Sequence, residues 1–145
     1  MDTAELDHIS YLIIQAGIEI HKALGPGLLE SVYRRCLIYE LEARNLTVTS
    51  QLKVPIRYKH LILDGFYQLD LLVNDGVIVE LKAVETVHAV HRAQLLSYLR
   101  LMDKQLGLLV NFHVDRLIVG VDRIVNKFGW PDSQACKSSE VPTDK

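Results

Sequence analysis

Residues 66–83 read FYQLDLLVNDGVIVELKA, and the fold follows from how this stretch is parsed. Asn74-Asp75-Gly76 is a turn signal between two apolar runs, which predicts a β-hairpin with strands over Phe66–Val73 and Val77–Ala83. Side chains alternate faces along a strand. Tyr67, Leu69, Leu71, Val73, Val77, Val79, Leu81 and Ala83 therefore share one face fit for a core, and Gln68, Asp70, Glu80 and Lys82 share the other. A three-residue loop pairs Val73 with Val77 and Leu71 with Val79, and sets Asp70 opposite Glu80. A two-residue loop would lay the polar face of one strand beside the apolar face of the other, so the pattern selects the odd-length loop.

That register sets two carboxylates against each other, which is unfavourable unless they share a proton or bind a cation. A hard divalent ion with oxygen ligands suits such a pair, and Mg²⁺ typically takes one or two carboxylates plus water and phosphate oxygens. Lys82 lies two residues past Glu80 on the same face, where an ammonium can orient a water, help deprotonate it or stabilise charge on a phosphate. The plain alternative is a solvated Glu-Lys pair on a strand. The apolar surroundings and the facing Asp70 argue against it.

Outward from the hairpin, Leu6, Ile9, Ile13, Ala16, Ile20 and Leu24 recur at helical spacing over residues 4–24, and Gly25-Pro26-Gly27 stops that helix. A second helix is predicted from Leu29 to Arg44. Val48–Tyr58 reads as extended chain broken at Pro55, as befits an edge strand or a bend, and His60–Gly65 as a turn. A third helix covers His88–Met102. Leu106–Phe112 is an apolar run of the kind buried on both faces, and Leu117–Val125 is a further strand whose end could be helical. The strand–helix–strand unit from Val77 to Phe112 is expected to be a right-handed parallel crossover. The resulting fold class is α/β (α+β, mixed sheet): a mixed β-sheet flanked by helices. It forms one domain over residues 1–128, followed by a flexible polar tail over 129–145.

The 145 residues are enough for a single core without staples, and 49 % hydrophobic with 23 % charged residues is ordinary for a globular chain. A formal net charge of −2 gives no global basic field, so a nucleic-acid binder of this composition must concentrate its positive charge locally. Lys53, Arg57, Lys59, Arg92, Arg100 and Lys104 are the candidates, each also readable as part of a solvated face. The two cysteines, Cys36 and Cys136, form no disulfide framework or zinc pattern and suit a reducing cytoplasm. No apolar run reaches membrane-spanning length, so a soluble cytoplasmic protein without a membrane partner is expected.

Asp70, nine intervening residues and Glu80-Leu81-Lys82 on a hairpin resemble the PD-(D/E)XK nuclease signature. A more specific stretch, GLLESVY over Gly27–Tyr33, resembles the pattern that names the GxxExxY protein family. The surrounding IEIHKALGPGLLE, YQLDLLV, IVELKAV and AQLLSYL segments match as well, so the likeness covers about residues 5–125. The departure is Leu69, where the signature's first letter is proline. The resemblance implies a restriction-endonuclease-like core and an Mg²⁺-dependent phosphodiesterase, with Mn²⁺ as a substitute. It implies Asp70, Glu80 and Lys82 as the catalytic triad, Glu30 as a helix-borne acid and Gln94 as part of the following helix's motif. The expected partner is nucleic acid, DNA first, with a homodimer where two strands are to be cut. A catalytically silent nuclease-like fold that binds nucleic acid or protein is the rival expectation.

Read on its own, Glu30 at a helix start either complements the helix dipole or acts as a third metal or water ligand; with the family likeness the second is favoured. On the third helix His91, Gln94 and Tyr98 share a face. Gln94 could hold a water, a phosphate or Lys82, or be a semi-exposed amide. His91, Tyr98 and His21 read as structural first, although the family context leaves His21 some prospect of a phosphate contact. Tyr33 reads as core or as a support for Glu30. Gly25-Pro26-Gly27 lacks the Gly-Lys-Ser/Thr ending of a phosphate loop.

Overall fold

The Asn74-Asp75-Gly76 turn closes as the pattern demands. Asn74 and Asp75 adopt left-handed φ values of 51° and 55°, which Asn and Asp tolerate better than other non-glycine residues, and Gly76 N–H donates to Val73 O (2.9 Å). In this computed structural model, which describes residues 1–127, the turn joins β4 (Gln68–Val73) to β5 (Val77–Lys82) with Val73 opposite Val77 and Leu71 opposite Val79. The expected tail over 129–145 and Cys136 lie outside the described residues.

Three more strands complete the main sheet. These are β1 (Val48–Lys53), β6 (Leu106–Asn111) and β7 (Val121–Val125), in the order β1-β4-β5-β6-β7. Only the β5–β6 pair is parallel. It is connected through α3 (Ala89–Met102), as parallel neighbours require a crossover. Every residue of β6 is buried, which is why its sequence shows no alternation.

The odd face of the hairpin packs on α1 (Thr3–Leu24) and α2 (Glu30–Ala43). Leu71, Val73, Val77, Val79 and Leu81 share a core with Leu6, Ile9, Ile13, Ala16 and Ile20 of α1 and with Tyr33, Leu37 and Leu41 of α2. Helix α1 begins in a capping box, with Glu5 N–H donating to Asp2 Oδ1 (2.8 Å) and Asp2 N–H to Glu5 Oε1 (3.0 Å). It ends at Gly25, whose φ of 72° suits a residue without Cβ. Leu24, predicted on the buried stripe, is exposed.

The opposite face is also covered, which the alternation alone did not predict. Leu69, Leu72, Ile78 and Leu109 form a second core with Leu95, Tyr98 and Leu99 of α3, each of these buried side chains contributing about 1.5–3 kcal/mol. The architecture is thus a five-stranded mixed sheet between one helix and two, consistent with a restriction-endonuclease-like fold. Leu69 departs from the parity reading: it lies in the α3 core, whereas Leu71 lies in the α1–α2 core. The chain changes face at Asp70, and Tyr67 is left exposed.

Three local expectations are corrected. The region read as a turn over His60–Gly65 contains β3 (Leu61–Leu63), paired antiparallel with β2 (Ile56–Tyr58) in a separate two-stranded hairpin. Its short strands expose Leu61 and Ile62, so no one-sided apolar pattern marks them. The strand predicted from Phe66 starts at Gln68. Within Leu117–Val125, the first four residues form a 3₁₀ turn and only Val121–Val125 pair with β6. Among the described residues no helix is long and apolar enough to cross a membrane.

Gly120, which ends that turn, has no room for a side chain: an added Cβ would lie 2.2 Å from the backbone oxygen of Asn111. Backbone cannot swing aside as a flexible side chain can. Gly120→Ala is expected to destabilise the fold by about 1–3 kcal/mol, read as a lower urea midpoint with an unchanged slope. An unaltered midpoint would show that the turn packs more loosely than described.

Candidate active site

The pairing of β4 with β5 stops at Leu71–Val79. The β1 side is interrupted at the same level: Ser50 faces Leu71 and Leu52 faces Leu69, while Gln51 between them has a φ of 53°. The backbone donors left open there are taken by carboxylates. Asp70 N–H donates to Glu80 Oε2 (2.8 Å), and Leu81 N–H donates to Asp70 Oδ2 (2.8 Å). Each acid thus accepts from the strand that carries the other, in bonds that contribute about 0.5–1.5 kcal/mol each.

The two acids sit in different surroundings. Asp70 is partly exposed, and its Oδ1 accepts from Arg34 Nη1 of α2 at 3.2 Å. Glu80 is 7 % exposed, and only its Oε2 has a hydrogen-bond donor among the described residues. Burial above all, and then the charge of Asp70, push the Glu80 carboxyl up to about 8, against the smaller opposing pulls of the Asp70 N–H and of Lys82. A buried acid in this state demands a proton or a cation at neutral pH.

Lys82 ends β5, and its carbonyl accepts from Phe112 N–H (2.9 Å). Its ammonium makes no ion pair among the described residues, yet its charge is felt at Glu80 and at His91. His91 Nδ1 accepts from His88 N–H (3.0 Å) at the start of α3, a capping role. Burial and then Lys82 hold the His91 ring below the usual imidazole range.

Glu30 opens α2 and reaches the residue after Lys82, where Ala83 N–H donates to its Oε2 at 3.3 Å. The start of α2 is fixed by Tyr33, which is fully buried. Its hydroxyl donates to Gly25 O (2.5 Å) and accepts from Leu28 N–H (3.1 Å), while its ring stacks on Phe112 at 4.3 Å between centroids. Gly27 lies between those two anchor points with a φ of 102°. The spacing of Gly27, Glu30 and Tyr33 has a local reason: the glycine makes the bend, the tyrosine latches it, and the acid is presented one turn before the tyrosine.

Gln94 lies on α3, half-buried, with no hydrogen bond among the described residues. It shares a groove with Tyr67 and Tyr98 and is not bonded to Lys82. Tyr98 is buried, and burial, then Glu80 and Tyr67, push its hydroxyl up to about 12. His21 turns its Nε2 to Val114 O at 2.8 Å, a structural contact.

Two neighbours of the site escaped the sequence reading. Arg34 is four residues after Glu30, so helical spacing alone could have placed it beside an acid on that face. Asn111 is the single polar residue ending the apolar run of β6. It is buried, donates to Val84 O (2.8 Å) and accepts from Val84 N–H (3.1 Å) and His113 N–H (3.2 Å). It clamps the chain as it leaves Lys82.

Among the described residues no group of three or more His, Cys, Asp or Glu side chains lies close enough together to hold a metal ion. The expected set of Asp70, Glu80 and Glu30 is therefore not gathered as one cluster, and Glu30 is engaged at Ala83. The feature that fits a hard divalent ion is the Asp70–Glu80 pair at the parting of the strands, all oxygen, with one Glu80 oxygen lacking a donor among the described residues. Two carboxylates completed by water and phosphate oxygens are a usual complement for Mg²⁺.

The raised Glu80 value fixes a pH dependence. Between the ordinary value of 4.5 and about 8 the folded chain holds a proton that the unfolded chain has lost. Stability therefore falls as pH rises through this window and levels off above it. Without metal, the melting temperature of the native chain is expected to drop across the window relative to Glu80→Gln, by the equivalent of a few kcal/mol. Parallel melting curves of the two proteins from acid to mildly alkaline pH would contradict the assignment.

The model of the PD-(D/E)XK nuclease superfamily matches residues 7–124, which spans all but the first few residues of α1 and reaches into β7. No curated protein matches the chain, and no solved structure does. With the matched region containing the sheet, its helices and the Asp70–Glu80–Lys82 hairpin, the chain belongs to the PD-(D/E)XK nuclease superfamily.

Proposed function

We propose that this protein is a metal-dependent nuclease that hydrolyses phosphodiester bonds of DNA. The observation that carries the reading is the pairing of the partly exposed Asp70 with the buried Glu80, with Lys82 two residues on. Asp70 and Glu80 would hold a divalent ion, Mg²⁺ in the first instance and Mn²⁺ as a substitute, and Glu30 is the third acid at hand. When bound, the ion supplies Lewis-acid polarisation of the phosphoryl group and makes a water a better nucleophile at neutral pH. Lys82 orients the attacking water and stabilises the charge that builds on the non-bridging oxygens. Water oxygen bonds to phosphorus, the bond to the 3′ oxygen breaks, and a 5′-phosphate remains. Arg34 holds Asp70 in place, and Gln94 contacts the strand or its water from α3.

The Gly27–Glu30–Tyr33 spacing supports the GxxExxY family as the branch of the superfamily. A homodimer would bring two such sites to two strands. Cys36 is a free thiol, in keeping with the reducing cytoplasm proposed as its compartment.

A second reading has one observation in its favour. Arg34 already neutralises Asp70, which a silent, nuclease-like binding module would also want. Melting with added metal separates the two. Millimolar Mg²⁺ or Mn²⁺ raises the melting temperature if the acids bind it, since a ligand of the folded state stabilises that state.

Lys82→Ala is expected to lose about 10²–10³-fold in Mg²⁺-dependent cleavage with its melting temperature nearly unchanged. The assay compares linear, nicked, branched and single-stranded DNA. Equal cleavage by both proteins would reject the role of Lys82. Absence of cleavage by the native chain, with no metal-induced rise in melting temperature, would favour the binding module.

A further inference from the structure

One segment of this weakly acidic chain is locally basic. Of the six basic residues singled out in the sequence, Arg92 is paired with Asp122 and Lys104 with Asp75. Lys53, Arg57 and Lys59 make no ion pair among the described residues. All three lie on the segment from the end of β1 through the β2–β3 hairpin, where Asp64 is the one acid among residues 53–68 of a chain with net charge −2. The same segment exposes aromatic rings: Tyr58 at 62 %, Phe66 at 68 % and Tyr67 at 45 %. Lys59 Nζ sits over the Tyr58 ring at 5.3 Å.

This arm meets α3 across a groove of about 380 Å³, walled by Ile56, Tyr67, Val90, Tyr98 and Leu101, with Gln94 as a half-buried amide lacking a hydrogen bond among the described residues. The Tyr67 and Tyr98 rings are 6.1 Å apart. Tyr98 is within the electrostatic reach of both Glu80 and Asp70, so the groove adjoins the carboxylates. Aromatic faces take any base by stacking, basic side chains follow the backbone, and an amide can bond a base edge. A paired base inside a duplex cannot enter such a groove.

We infer that the groove between the β2–β3 arm and α3 receives an unpaired nucleobase, which makes single-stranded or locally unpaired nucleic acid the preferred substrate of the neighbouring site. The inference rests on the nuclease reading for the word substrate, and on the groove alone for binding. Lys53, Arg57 and Lys59 hold the phosphates of the strand, Tyr67 carries the base, and Gln94 meets its edge.

The test is fluorescence anisotropy in EDTA, so that nothing is cut, with three labelled probes. One is a short single strand, one is the same strand in a blunt duplex, and one is the same backbone with abasic residues. The native chain binds the single strand more tightly than the duplex or the abasic strand. Tyr67→Ala weakens single-strand binding roughly tenfold, as expected for loss of one stacked base, and leaves duplex affinity unchanged. Tyr67→Phe, which keeps the ring, binds as the native chain does. Ser97→Glu, at an exposed position on the groove wall, gives the same selective loss without disturbing the core, should Tyr67→Ala fail to fold.

Equal losses on single strand and duplex, native affinity for the abasic probe, or no binding of any probe would each overturn the inference. The last result would leave the groove to an apolar segment of a protein partner. Cleavage is scored separately. Selective binding without cleavage keeps the groove and removes the nuclease reading, and cleavage without selectivity does the reverse.

Discussion

Everything at this site depends on where β4 and β5 stop pairing. Had the ladder continued one step past Leu71–Val79, Asp70 and Glu80 would face each other as a like-charged cross-strand pair, with nothing to offset the repulsion. Instead the carboxylates take over backbone donors themselves, Glu80 from Asp70 N–H and Asp70 from Leu81 N–H. The strands part, the acids fill the gap, and each acid is held by a backbone N–H of the other's strand. Amide donors favour the charged form only in part, and burial overrides them at Glu80. The outcome is one acid held by Arg34 and the Leu81 N–H, and one poised to take a proton or a cation.

The two helical layers converge on that gap from opposite sides. Helix α2 brings Glu30 and Arg34, its entry latched by Tyr33 against Phe112. Helix α3 brings Tyr98, whose hydroxyl is influenced by both Glu80 and Asp70. Asn111, at the end of the central strand, fixes Val84 and with it the exit from Lys82. None of these supports would hold without the two cores. The sheet is buried on both faces, and Glu80 and Lys82 lie at the end of β5, where burial lessens at Lys82.

Much of this was legible in the residues. The three-residue turn, the Leu71–Val79 register, the buried stripe of α1 and the all-apolar β6 each follow from one periodicity and one turn signal, and each of these features is local. What stayed hidden depends on tertiary context. Parity could not show that Leu72 and Ile78 are covered as fully as Leu71 and Val79, because alternation marks which residues share a face and says nothing of what lies above it. Leu69 breaks parity where the β4–β5 pairing has already ended, and it lies in the α3 core while Leu71 lies in the other. The β2–β3 arm was missed since strands of three residues with exposed Leu61 and Ile62 carry no amphipathic signal. Arg34 and Asn111 are ordinary residues on their own elements, and acquire meaning only from the strand that α2 or the exit loop happens to meet.

Charge distribution connects the site to the rest of the chain. A net charge of −2 would repel a polyanion from afar, and over a Debye length of about 8 Å at physiological salt only nearby charges matter. Within that range the acids of the site are themselves repulsive, and Asp70 is already matched by Arg34. Attraction therefore has to come from cations with no internal partner. Arg44, Arg92, Lys104 and Arg123 are committed to pairs that tie elements together. Lys82 at the site and the three bases of the arm make no ion pair among the described residues. Lys22 and Arg35 on the first two helices make no ion pair among the described residues either, so what sets the arm apart is its company: a single acid, Asp64, among residues 53–68 and the exposed rings of Tyr58, Phe66 and Tyr67.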